Sequence, residues 1–159
     1  MRRLALVLVP LALAACTRPP ANLAGRFDPV TVRDAQTRPQ QGAAVRWGGT
    51  LVRTTPGRDQ TCFEILNRPL DREARPMPSD RDAGRFIACA PGFYDPLVYV
   101  PGRDITVTGA LNGTTTRPLG GYDYTYPRID ATTVHLWPER LAASPYPRVG
   151  VSIGGIFFP

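Results

Sequence analysis

From Val45 onward the chain never holds a helical period for more than two turns. Its apolar residues alternate instead, in short runs that glycine and proline keep interrupting. Val45, Trp47, Gly49 and Leu51 fall on one face, with Arg46, Gly48, Thr50 and Val52 on the other, which is the period of a strand. Gly48-Gly49 inside that run predicts a bulge or a sharp bend, as at the corner of a small barrel. Thr55 to Asp59 forms a turn, and Thr61 to Leu66 returns as a second strand, so the first two strands read as a hairpin. Phe86 to Ala90 and Asp104 to Leu111 are the third and fourth strands. Asn112-Gly113 is a tight-turn signal, after which Thr114 to Arg117 would return as an edge strand. Arg128 to Trp137 is a further strand stopped by Pro138, and Arg148 to Phe158 has the character of a final edge strand. Asn67 to Gly84 is a long charged loop, and Phe93 to Val100 a turn-rich segment around Asp95-Pro96. With 18 prolines and 15 glycines to supply turns, the pattern predicts an all-β domain over residues 44–159. A small barrel or sandwich follows, and we expect a small OB-like β-barrel.

The first fifteen residues obey different rules. Arg2 and Arg3 precede an apolar run from Leu4 to Ala12, broken only by Pro10, and small residues follow. A bilayer span needs about 20 apolar residues, so this run is a secretion signal rather than a transmembrane helix. It ends in Leu13-Ala14-Ala15-Cys16, which resembles the lipobox of bacterial lipoproteins. The resemblance implies cleavage after Ala15, a diacylglycerol on the Cys16 thiol, and acylation of the new amino group. Two or more acyl chains give stable anchoring where one does not. In such lipoproteins an aspartate after the cysteine tends to retain the protein at the inner membrane. Thr17 stands there instead, so the expectation is the outer membrane, facing the periplasm.

Residues 16–43 are polar and rich in Pro, Arg and Gln, and are expected to form a flexible tether. Within them Asp28-Pro29 is able to cap and start a short helix, while the alternating Val30 and Val32 equally fit a short strand. Every basic residue is an arginine, and the formal charge of +6 drops by two when Arg2 and Arg3 are removed. That mild excess suits a solvated surface, or weak attraction to anionic lipid. No contiguous basic block of the kind that binds nucleic acid occurs. Once Cys16 is assigned to lipid, Cys62 and Cys89 remain, an even number in an oxidising compartment. A disulfide between them is expected, with two buried free thiols as the alternative. One histidine, His135, and two cysteines in separate strands do not make a metal cluster, and no cofactor is expected.

Seven stretches then occur in order: Val45-Arg46-Trp47-Gly48-Gly49, Pro69-Leu70-Asp71, Gly84-Arg85-Phe86-Ile87-Ala88, Gly92-Phe93-Tyr94-Asp95-Pro96, Gly102 to Gly109, Tyr124-Thr125-Tyr126-Pro127 and Leu136-Trp137-Pro138. As a set they resemble the Slp family of outer-membrane lipoproteins, over most of residues 45 to 138. The resemblance implies a lipid-anchored outer-membrane protein, associated in some members with starvation or stationary phase, and supplies no enzymatic activity. The cysteine pair is not a general feature of that family, and the tail after Trp137 matches little.

The charged loop offers Asp71, Glu73, Asp80 and Asp82 as candidate acid–base groups, but Arg72, Arg75, Arg81 and Arg85 lie among them, so surface ion pairs are the simpler account. Ser79, Ser144 and Ser152 have no evident histidine partner, since His135 falls inside a strand. Arg85 with Tyr122, Tyr124 and Tyr126 forms a candidate ligand face, basic and aromatic, with edge packing of the tyrosines as the alternative. Three functions are therefore in play. The first is a non-enzymatic envelope lipoprotein with a structural or interaction role, its partners outer-membrane lipid through Cys16 and an envelope protein or glycan. The second is a binding module for an envelope glycan or small ligand. A hydrolase ranks last, and nucleic acid is not an expected partner.

Overall fold

The computed structural model describes residues 17–38, 40–81 and 83–140. Ala15, Cys16 and the expected strand at Arg148 to Phe158 lie outside the described residues. Five strands make one sheet: β1 (Ala44–Pro56), β2 (Gln60–Asn67), β3 (Arg85–Pro91), β4 (Asp104–Leu119) and β5 (Tyr122–Leu136). Each pairs with two others, and the ring of pairings closes in the order β1-β2-β3-β5-β4 and back to β1. All the pairings are antiparallel except β3 with β5, which run parallel over Ile87–Cys89 and Arg128–Asp130. The all-β expectation is met, and no helix among the described residues is long and apolar enough to cross a membrane.

Alternation fills the inside of the ring. Val45, Trp47 and Leu51 of β1 meet Phe63 and Ile65 of β2, Phe86 and Ala88 of β3, Ile105 and Val107 of β4 and Ile129 of β5. Trp47 and Phe86 pack edge to face with centroids 5.3 Å apart, and the buried indole N–H donates to the Val30 carbonyl at 2.9 Å.

The Gly48-Gly49 pair sits where β1 changes partner. β1 pairs with β4 over Ala44–Thr50 and with β2 over Gly49–Pro56. A Cβ on Gly49 would lie 1.9 Å from the Leu66 carbonyl oxygen, and one on Gly48 would lie 2.7 Å from that of Ile105. The glycines therefore permit two backbones to approach at once. The break in register comes just beyond them, between Leu51 and Arg53.

Two expectations are corrected. Asn112-Gly113 is not the hairpin turn. β4 runs through it to Leu119, and the chain reverses at Gly120-Gly121. Leu111 pairs with Ile129 and Thr114 with Pro127, so Asn112 and Gly113 face Arg128 alone as a bulge, with Gly113 at φ 70°. Asn112 holds the bulge by donating to Asp130 at 2.7 Å and accepting from Gln41 at 2.9 Å. The second correction concerns residues 17–43, which do not form a free tether. Leu23, Val30, Val32 and Ala35 are buried, the last three inside the main core. A short helix does form, α1 (Val32–Thr37), three residues later than Asp28-Pro29 would start it. Thr31 caps it reciprocally with Asp34, and the Asp28 carboxylate instead accepts the Ala44 N–H at 2.8 Å, tying this segment to β1.

Outside the ring, one face is closed over. A 3₁₀ turn at Ala21–Leu23 and the loop after β2 cover β1 and β4, packing Leu23, Leu70, Ala74 and Trp137 together. Trp137 donates its indole N–H to Thr106 Oγ1 at 2.9 Å, and that hydroxyl donates to the Ala74 carbonyl at 2.7 Å.

Candidate functional site

The other outer face, over β2, β3 and β5, carries most of the residues singled out from sequence; Ile87, Cys89 and Tyr126 are buried within it, and Glu64, Arg85 and Tyr124 are half-buried. Outward residues alternate with the core on each strand, placing Cys62 and Glu64 on β2, Arg85, Ile87 and Cys89 on β3, and Tyr124 and Tyr126 on β5. Cys62 and Cys89 are directly opposite in the β2–β3 register and are joined by a disulfide. The bond packs with Ile87 and Tyr126 in a small apolar cluster.

Around that cluster the polar groups form one network. Arg85 donates to Glu64 Oε1 at 2.8 Å, and the Tyr126 hydroxyl donates to the same oxygen at 3.3 Å. Burial, then the neighbouring Glu64 charge, raises the Tyr126 pKa above its ordinary value, so the phenol stays a donor. The Tyr124 ring lies 4.8 Å from that of Tyr126. Its hydroxyl accepts from the Arg85 backbone N–H at 2.9 Å and from Gln36 Nε2 at 2.8 Å, which binds α1 to the start of β3. Both acceptor positions are then filled, and the phenolic proton is left to donate.

Beside this network is a groove of about 460 Å³ at the end of the sheet where β2 leaves and β3 enters. Arg68, Arg81 and Arg85 line it with Asp80, Ser79 and Tyr124, and Leu66 and Leu119 give it an apolar edge. No hydrogen bond or ion pair among the described residues engages the guanidinium of Arg68 or Arg81. Counted over the described residues, the groove thus presents two cations without an ion pair, one paired cation, one carboxylate and a phenol.

Of the expected ligand face only Arg85 and Tyr124 reach the groove: Tyr126 is adjacent but buried against the disulfide, and Tyr122 stands apart, 76% exposed beside the β4–β5 turn. Sequence alone missed Glu64, Gln36, Arg68 and Leu119. The remaining candidate chemistry is dispersed. Asp71 Oδ1 accepts the backbone N–H groups of Glu73 and Arg75, both at 2.9 Å, and so stabilises a turn. Asp82 lies outside the described residues. Ser79 accepts the Arg81 N–H at 3.2 Å. His135 lies 3.2 Å from Asn22 Nδ2 and stacks edge-on to Trp137 at 4.4 Å. Burial lowers its pKa, which keeps the imidazole neutral at pH 7. No group of three or more His, Cys, Asp or Glu among the described residues is placed to hold a metal ion.

Comparison with known proteins gives two kinds of likeness. The fold has a distant resemblance to a small single-stranded DNA-binding protein from Streptomyces coelicolor, with a TM-score of 0.39 and 18% identity, covering 61% of this chain and 95% of that one. Sequence relatives are nearer. An uncharacterized protein of Haemophilus influenzae is 35% identical over 129 residues, 79% of this chain and 70% of the relative. Outer membrane protein Slp of Escherichia coli is 27% identical over 133 residues, 80% of this chain and 70% of that protein. The model of the outer membrane lipoprotein Slp family matches residues 13–153, a span that takes in Leu13 to Cys16 as well as every strand described above. The chain belongs to the outer membrane lipoprotein Slp family.

Proposed function

We propose that this protein is a non-enzymatic lipoprotein of the outer membrane, cut after Ala15, acylated on Cys16 and facing the periplasm. An OB-like barrel is what the anchor holds, and its work is structural or interactive within the envelope, with a link to starvation or stationary phase. The observation that carries the reading is the family match, which begins at residue 13 and so includes the cysteine and the small residues before it. Thr17 in place of aspartate supports outer-membrane sorting, and the Cys62–Cys89 disulfide fits an oxidising compartment. Mass spectrometry of the amino-terminal peptide from purified envelopes tests it. The expected result is a triacylated Cys16, with Cys16→Ser recovered in the soluble fraction. An unmodified thiol on a protein found in solution overturns it.

A second reading, as a binding module, is favoured by one feature: the groove at Arg68, Arg81, Arg85 and Tyr124. Unpaired guanidiniums beside a phenol suit an envelope saccharide that bears a carboxylate or phosphate. Titration with acidic and neutral oligosaccharides distinguishes the two. Binding of the acidic sugar that falls at least about tenfold in Arg68→Ala, with unchanged stability, supports the module, because a charge-assisted hydrogen bond is worth about 1.5–3 kcal/mol. Equal, weak binding of both sugars sinks it.

A further inference from the structure

The end of the sheet opposite the groove carries an apolar surface. There the loop between β3 and β4 presents Phe93, Leu97 and Val98, which are 72%, 86% and 51% exposed. Three large apolar side chains exposed within six residues of one loop mark a contact rather than the scatter of a soluble surface. The loop is rigidly held. Tyr94 and Tyr99 turn inward onto Phe63, with centroids 5.2 and 5.4 Å away. Thr61 Oγ1 accepts the Tyr94 N–H at 3.1 Å and donates to the Gly92 carbonyl at 2.9 Å, while Thr54 donates to the Tyr99 carbonyl at 2.7 Å. The Asp95 carboxylate accepts the Leu97 N–H at 2.8 Å. A loop pinned this firmly, yet apolar on its outer side, is built to present those side chains.

The path of the N-terminal segment leads toward the same end. Asp28 is bonded to Ala44, at the start of β1 and opposite Ala110. Asn22 is bonded to His135, which pairs with Thr106 near the start of β4. Traced backward from Asp28 to Asn22, the chain therefore runs toward the end where the β3–β4 loop enters β4. Ala21–Leu23 is fixed as the 3₁₀ turn, and only residues 17–20 separate it from Cys16. At about 3.5 Å per residue that leash is at most roughly 18 Å long. The β1–β2 hairpin exposes Arg53 and Arg58 here, beside the exposed Asp59 of its turn and Asp95 of the loop, and is tied to the loop by the Gly92 N–H donating to the Asp59 carbonyl at 2.9 Å. Arginines beside an apolar tip are the arrangement that phospholipid phosphates and acyl chains accept together.

We propose that Phe93, Leu97 and Val98 seat in the phospholipid bilayer that holds the anchor, as a second membrane contact. The domain then lies against the membrane with its groove turned away. This rests on the acylation of Cys16 for its position, and the test separates the two. The Cys16→Ser protein, which has no acyl chain, is mixed with vesicles of phosphatidylethanolamine and phosphatidylglycerol, with and without Phe93→Ser, Leu97→Ser and Val98→Ser combined. The expected result is measurable binding that the triple variant weakens at least about 30-fold, since each side chain buried in lipid adds a share of its transfer free energy. In the full native chain, a photo-crosslinking side chain placed at Leu97 should label lipid, and one at Tyr122 should not. Equal vesicle binding by the two proteins overturns the proposal. So does a Leu97 crosslink to a second copy, to residues 141–159 or to another protein. An unacylated Cys16 in the native protein refutes the anchor alone, because the vesicle comparison still decides the loop.

Discussion

Two outer faces of one sheet are built from similar residues and end in opposite states. Over β1, β4 and the end of β5, Trp137 and His135 are covered by the turn at Ala21–Leu23 and by the loop after β2, which lays its own Arg75 on the Trp137 ring. Over β3 and β5, Arg85 and Tyr124 stay half-exposed beside a groove, while Tyr126 is buried against the disulfide. The difference lies in how far the polar atoms are consumed. On the covered face Thr106 links Trp137 to Ala74, and Arg75 stacks on Trp137, pairs with Asp104 at 3.4 Å and donates to the Pro138 carbonyl at 2.7 Å. On the other face Glu64 accepts from Arg85 and Tyr126 and Gln36 donates to Tyr124, but no partner among the described residues takes the guanidinium N–H groups of Arg68 and Arg81 or the Tyr124 proton. Aromatic and basic residues on a sheet surface thus become a lid or a site according to what folds over them.

This contrast can be broken experimentally, beginning with the covalent bond. Replacing Cys62 and Cys89 together by Ala is expected to cost about 3.5 kcal/mol in urea unfolding, the chain-entropy value for a closed loop of 27 residues. A loss under about 1 kcal/mol would mean that the groove face holds itself together without it. Next comes Thr106→Val, nearly isosteric, which leaves a buried indole N–H and a carbonyl unpaired. About 2–3 kcal/mol should be lost, seen as a lower urea midpoint with unchanged slope. If Thr106→Val is neutral, the covered face is held by apolar packing alone.

A smaller effect is expected on the groove side. Glu64→Ala removes the acceptor shared by Arg85 and Tyr126 and should cost about 1–2 kcal/mol, with Glu64→Gln recovering part of it through its carbonyl oxygen. Equal losses in the two variants would show that the oxygen shared with Tyr126 matters little. The smallest effect is a pH dependence from His135. Burial holds its folded pKa below the ordinary 6.5, so the unfolded chain takes up a proton first. Its contribution is complete above about pH 6.5 and is lost as pH falls from there toward the folded value. The slope between pH 7 and 5 should flatten in His135→Gln. An unchanged slope would assign the pH response to other groups.

Much of this architecture was legible where burial and local pattern coincide. Val45 and Trp47, or Ile105 and Val107, alternate because a sheet with one side on a core enforces period two. The failures have a common physical origin in partners far along the chain. Asn112-Gly113 carries a turn signal as strong as any, but β5 continues alongside and the bulge absorbs it. Leu23 and Val32 lie in a polar, proline-rich stretch whose burial is decided by strands formed later in the sequence. In the site, Arg85 and the tyrosines stand out by type and alternation. Gln36 does not, because its bond to Tyr124 spans 88 residues, and Glu64 meets Tyr126 across 62.

The parallel contact between β3 and β5 is three residues long on each strand, much shorter than the β4–β5 hairpin. Few backbone bonds there resist separation. Side chains close that seam instead: Tyr126 of β5 reaches Glu64, Tyr124 accepts the Arg85 N–H, and Ile87 and the sulfur bridge pack on Tyr126. The staple therefore has a second duty: besides tying β3 to β2, it is the ledge on which β5 rests where the backbone ladder is thinnest.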